Sequence, residues 1–160
     1  MSLVFAGICS HAPGITGRAH LADPALKDAL HAELFALGEA ARLWAFDITA
    51  PGEVRREGWP SPHGGRMVCA APGGHYQRFD SLAVDSVGNV CVATLIHGGI
   101  SIVAPDGRCT GYVALSDRFT TNLCFGGPDR RTAFVTLSGS GRLIAIDGWP
   151  VPGLKLNYEA

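Results

Sequence analysis

The sequence predicts a mainly β chain made of blade-sized antiparallel units and preceded by a short strand–loop–helix segment. Three observations predict it. Strong helix formers concentrate between residues 25 and 42 and then disappear. From Arg42 onward, glycine and proline interrupt the chain every few residues, leaving apolar runs of strand length. Those runs recur with a period near 43 residues, inside the range of four-stranded blades.

The first element is the apolar run Ser2 to Ile8, which reads as a buried strand of the parallel type. A loop with Pro13, Gly14 and Gly17 follows it. Asp23-Pro24 then offers an N-cap with proline at the first helical position. From Ala25 to about Arg42 the residues favour helix, with Leu26, Leu30, Leu34 and Leu37 on one face. Strand, loop and amphipathic helix make residues 1–41 an α/β-type opening, distinct from residues 42–160.

Arg42 to Ile48 reads as a strand, and Gly65 to Ala70 as another. The most regular stretch follows: Leu82 to Val84, a turn over Asp85 to Asn89, Val90 to Thr94, a Gly98-Gly99 turn, Ile100 to Val103, then Pro105-Asp106-Gly107. This unit repeats. Val92 and Val135, Gly98 and Gly141, and Ile100 and Leu143 are each 43 apart, whereas Asp80 and Asn122 are 42 apart. One residue is gained in the turn, Asp85 to Asn89 against Gly126 to Arg131. Repetition alone fits propeller blades, a solenoid or two stacked sheets.

Composition is that of an ordinary globular chain: 160 residues, 47% hydrophobic, 17% charged, with a formal net charge of -1. The near-neutral balance gives no electrostatic reason to expect nucleic acid or an anionic membrane as partner, and the Arg55-Arg56 and Arg130-Arg131 pairs read as solvated turns. Five cysteines without C-x-x-C spacing suggest neither a zinc ribbon nor a disulfide framework; a reducing cytoplasm suits them. Cys91 and Cys124 fall within apolar runs, where a thiol acts as a small hydrophobe. The opening lacks the basic region of a secretory signal, and no stretch approaches the ~20 apolar residues of a membrane helix.

Four stretches carry a resemblance: RLWAFDITAPGEV, GWPSPHGGRMV, YQRFDSLAVDSVGNVCVATLIHGGISIVAPDG and TTNLCFGGPDRRTAFVTLSGSGRLIAID. In this order they are similar to the C-terminal portion of the regucalcin/gluconolactonase family. The resemblance implies a partial six-bladed β-propeller, about three blades' worth of strands. It also implies a hydrolase acting on carboxylic esters, with a sugar lactone as substrate and a divalent metal, calcium or zinc, as cofactor. Asp80, in the F-D-S-L motif, matches a position that in the family is both metal ligand and base toward water. The family's other ligands would come from blades that do not align here. Six blades need roughly 240 residues, so the expectation is a truncated or fused member with little activity alone.

The stretch LVFAGICSHAPGITG resembles the start of class III extradiol ring-cleavage dioxygenases, related to the protocatechuate 4,5-dioxygenase catalytic subunit. There His11 matches a histidine that binds non-haem iron. The two resemblances meet near Leu37 to Arg42, as a fusion or a deletion between neighbouring genes would produce. Two other readings stand beside the hydrolase: a non-catalytic β-module forming a homo-oligomer through open blade edges, and a dioxygenase-related protein working through its N-terminal segment.

The remaining polar residues read as structure. Asn122 lines a channel or bonds a turn, while Asp85 and Asp106 form turns beside Gly88 and Gly107. Ser138-Gly139-Ser140-Gly141 is a hairpin turn, without the strand and helix a nucleophile elbow needs. The other histidines, His20, His31, His63, His75 and His97, show no ligand spacing. Trp44, Trp59 and Trp149 read as blade packing.

Overall fold

The computed structural model describes residues 2–7, 41–61, 64–70 and 77–156. They form eleven strands: β1 (Ser2–Gly7), β2 (Arg42–Ala50), β3 (Glu53–Arg55), β4 (Arg66–Ala70), β5 (Arg78–Val84), β6 (Val90–Leu95), β7 (Gly99–Val103), β8 (Cys109–Ala114), β9 (Thr120–Gly126), β10 (Thr132–Leu137) and β11 (Arg142–Ile146). The expected mainly β architecture is present, as three antiparallel sheets. The expected helix over 25–42 falls almost wholly outside the described residues. Among those described, no helix is long and apolar enough to cross a membrane.

The chain divides into two compact units, residues 1–79 and 80–160. In the first unit β2 is the centre of a four-stranded sheet, with β1 on one side and β3 and β4 on the other. β1 occupies the span read as a parallel-type strand, but it pairs antiparallel with β2, Ser2 opposite Ile48 and Gly7 opposite Leu43. An apolar run identifies a strand without stating the direction of its neighbour. Leu43 to Phe46 of β2 are buried throughout, consistent with a central strand. Trp44 packs as expected at 4% exposure, whereas Trp59 is 96% exposed in the turn before Pro60 and packs no blade.

The second unit holds the repeat, as the sheets β5-β6-β7-β8 and β9-β10-β11. Their cross-strand pairs superpose one repeat apart: Val92↔Ser101 and Ala93↔Ile100 in the first, Val135↔Ile144 and Thr136↔Leu143 in the second. Cys91, Ala93 and Ile100 from the first sheet meet Leu123, Ala133, Val135 and Leu137 from the second in one core, closed by Trp149. Trp149 also meets Phe125 edge to face, with ring centroids 5.7 Å apart. β6 is buried along its whole length, on both faces of its sheet. β10 alternates buried and half-buried residues instead.

The predicted turns form as their chemistry requires. Asp85 accepts backbone hydrogen bonds from Val87 at 3.1 Å and Asn89 at 2.8 Å, while Gly88 takes a φ of 89°. Asp106 accepts from Arg108 in the next turn. β3 and β8 have no counterpart in the sequence reading. Both are largely exposed strands with few large apolar residues, and β3 is only three residues long.

Candidate functional site

Antiparallel strands joined by short turns put alternate turns at opposite ends of a sheet. In the second unit Asp80 near the start of β5, the first residues of β9, the turns 96–98 and 138–141, and the connection 115–119 therefore share one end. Hydrogen bonds join these pieces. Leu115 N donates to Gly98 O at 2.8 Å, Ile96 N to Arg118 O at 2.9 Å, and Ser138 N to Phe119 O at 2.9 Å.

Asp80 and Asn122 are both the third residue of the first strand of their sheet, β5 and β9. Asp80 is half-buried, between buried Phe79 and Ser81. Asn122 is exposed and pairs across the ladder with Thr136. A central-channel arrangement would need polar side chains at the same place in successive sheets, and the repeat supplies two. His11 lies outside the described residues.

Asp117, which sequence reasoning did not single out, organises this end. Its side chain is buried at 8% exposure. One oxygen accepts from Phe119 N at 2.8 Å; the other accepts from Ser140 N and Ser140 Oγ, each at 2.7 Å. The Ser140 hydroxyl, then the Phe119 amide, hold the Asp117 carboxyl below its ordinary value. The turn over 138–141 is thus the expected hairpin turn, and it also anchors Asp117. Two glycines permit the approach: a Cβ on Gly139 would lie 2.6 Å from Asp117 Oδ1, and one on Gly98, at φ 77°, 2.5 Å from the Asp117 carbonyl oxygen. Ile96 carries a φ of 74°, a sterically costly conformation for a β-branched residue. Its backbone is held from both sides by Arg118, whose Nε donates to Ile96 O at 3.1 Å. No local sequence pattern points to Asp117, because its partners lie up to 23 residues away.

The opposite end is closed by residues 149–154. Trp149 N and Gly153 N each donate at 2.8 Å, to Arg131 O and Arg130 O, while Ser86 N donates to Pro152 O. Arg131 in turn donates to the carbonyls of Trp149 and Pro150, and Arg130 to that of Gly153. The Arg130-Arg131 pair, read as a solvated turn, therefore clamps the C-terminal segment to the sheets.

A hard divalent cation takes about six to eight oxygen ligands in the case of calcium. Asp80 and Asn122 fall short of such a shell, and among the described residues no three of His, Cys, Asp and Glu gather as a metal-binding group. The described donors therefore do not by themselves fit a resident cation.

Comparison with known proteins agrees with the fold. A 6-deoxy-6-sulfogluconolactonase of Pseudomonas putida is 29% identical over 119 residues, 70% of this chain and 40% of its own. A crystal structure assigned to a gluconolactonase aligns with a TM-score of 0.55 at 27% identity, over 72% of this chain and 34% of that one. The calcium-binding regucalcin of Agrobacterium tumefaciens shares the fold, with a TM-score of 0.59 at 18% identity over 76% of this chain and 43% of that one. The chain thus spans less than half the length of each of these relatives. Residues 38–139 match the family described as the SMP-30/Gluconolactonase/LRE-like region. With its repeated sheets and the residues that carry them, this chain belongs to that family.

Proposed function

We propose that this chain contributes blades to a metal-dependent lactone hydrolase of the gluconolactonase type, and that alone it turns over lactone little. The observation that carries the reading is the repeated placement of Asp80 and Asn122 at the third position of two successive first strands. The substrate class is a sugar lactone, in keeping with the name of the Pseudomonas putida relative. In the intact reaction Asp80 takes the proton of a water whose oxygen attacks the lactone carbonyl; the ring C–O bond then breaks, the departing ring oxygen takes up that proton, and a hydroxy acid results. Asp80, together with donors from other blades, would hold the calcium or zinc of this reading, which would supply Lewis-acid polarisation. The thiols suit a cytoplasmic setting. A dioxygenase-like opening over 1–41, joined to the propeller portion near Arg42, completes the proposal.

Purified chain assayed on gluconolactone with calcium or zinc should show negligible turnover above the spontaneous rate. Turnover at an enzymatic rate that Asp80→Asn abolishes would overturn the low-activity part while supporting the assignment of Asp80. Sequencing the locus on both sides of the 37–42 junction tests the fusion, which a continuous upstream propeller frame would exclude.

A further inference from the structure

The two sheets of the second unit end differently. In the first, β8 runs antiparallel along the outer edge of β7, with Ile100 opposite Val113 and Ile102 opposite Gly111. In the second, β11 holds the place of β7, and among the described residues no strand pairs with its outer edge. The chain that follows does not fill the gap. One repeat beyond β8, Pro152 and Gly153 interrupt it. Its backbone is also bonded elsewhere: Gly153 N donates to Arg130 O and Leu154 N to Val84 O, at 2.8 and 3.0 Å. β11 lacks the devices that blunt an edge strand. Arg142 to Ile146 contain no proline, glycine or lysine, and their ladder with β10 runs without a bulge. β8, the outer strand of the first sheet, has both Gly111 near its middle and a register shift against β7.

The charges that flank β11 select its partner. The strand begins on Arg142 and is followed by Asp147. Among the described residues Arg142 has no ion-pair partner, and Asp147 accepts a hydrogen bond from Thr132 Oγ1 alone. We propose that β11 docks β11 of a second copy of this chain, antiparallel, across a two-fold axis perpendicular to the sheet. With Ile144 opposite itself, Leu143 faces Ala145 and Arg142 faces Ile146. Each Arg142 then lies one residue from the second copy's Asp147, so opposite charges meet at both ends of the pair. Parallel pairing would set like charges side by side. The faces agree as well: Ile144 and Ile146, which pack on the core, stay on one face across the junction. The pairing uses up the edge on both copies, so assembly stops at a dimer. It does not depend on the role given to Asp80.

Sedimentation of the purified chain over a wide concentration range, with amide hydrogen exchange on the same samples, tests the proposal. The wild type should pass from monomer to dimer, and amides within 142–146 should gain protection as it does. R142E and D147R should each weaken the dimer about tenfold, because like charges then meet at both ends. R142E/D147R, which exchanges the two signs, should restore the affinity to within about threefold of wild type. A wild type that stays monomeric throughout overturns the proposal, whether or not the amides of β11 are protected. So does a dimer in which those amides exchange as fast as in the monomer. A double variant that associates no better than either single one overturns the antiparallel pairing.

Discussion

Ile100 and Leu143 hold the same place in two copies of one repeat, yet the first is completely buried and the second is 68% exposed. Cys91 and Phe134, Ala93 and Thr136, and Ile102 and Ala145 diverge in the same direction, each less exposed in the first sheet than in the second. The two sheets share the ladder register of their β6–β7 and β10–β11 pairs, but Ile100 also pairs with Val113 of β8 while β11 is the last described strand of its sheet. A flanking strand and a covering layer separate them: β8 lies beside β7 and β9–β11 lies over this face of β5–β8, whereas no described residue of the second unit covers the matching face of β9–β11. The difference shows that a repeat encodes a surface for stacking whether or not the next sheet is there to receive it.

Thiol chemistry offers the largest contrast with which to break this comparison. Burial, then the nearby Asp85 charge, push the Cys91 thiol up to about 12 from an ordinary 9.0. At one pH it therefore holds about a thousandfold less thiolate than an ordinary cysteine. In dilute folded protein, alkylation followed by peptide mapping should modify exposed Cys124 quickly and buried Cys91 far more slowly. Comparable rates would contradict the burial difference.

Ile100→Ala should lower stability by about 2–5 kcal/mol, as for other aliphatic truncations in a packed core. Urea unfolding followed by circular dichroism measures it, and a loss as small as that of a surface substitution would place Ile100 outside the core. Asp117→Asn acts on the shared end of both sheets. Because the folded carboxyl lies below its unfolded value, its stabilising contribution is complete above the unfolded pKa and is lost as pH falls through the folded one. The variant should therefore have a lower Tm than wild type at neutral pH, and the two should converge in strong acid. Added salt in these melts screens the exposed Asp106–Arg108 pair, which also lowers a carboxyl. Leu143→Ala, the repeat partner of Ile100→Ala, should change the stability of dilute protein by no more than about 0.5 kcal/mol. A cost equal to that of Ile100→Ala would erase the distinction between the two faces.

Much of the second unit is legible in the sequence because its signals are local. Asp85, Gly88 and Asn89 specify a turn by chemistry contained within five residues, and Val90 to Thr94 reads as a strand from composition alone, within the observed Val90–Leu95. The fates of Cys91 and Cys124 are not legible in this way. Both sit in apolar runs, but Cys91 faces the stacked sheet and Cys124 faces away from it. Trp59 and Trp149 are alike in composition and opposite in burial for the same reason. Of the candidate site, Asp80 and Asn122 were visible through the repeat, whereas Asp117 was not, because its carboxylate is defined by Ser140 in another sheet.

The sequence by itself determined the more apolar strands and the turns, which depend on residues a few positions apart, and the 43-residue repeat, which the same local patterns recurring make visible. Tertiary structure alone decided the antiparallel pairing of β1 with β2, the clamp that Arg130 and Arg131 place on residues 149–154, and which of two equivalent faces is covered. Those outcomes depend on which distant surface arrives, and burial depends on the neighbour as much as on the side chain.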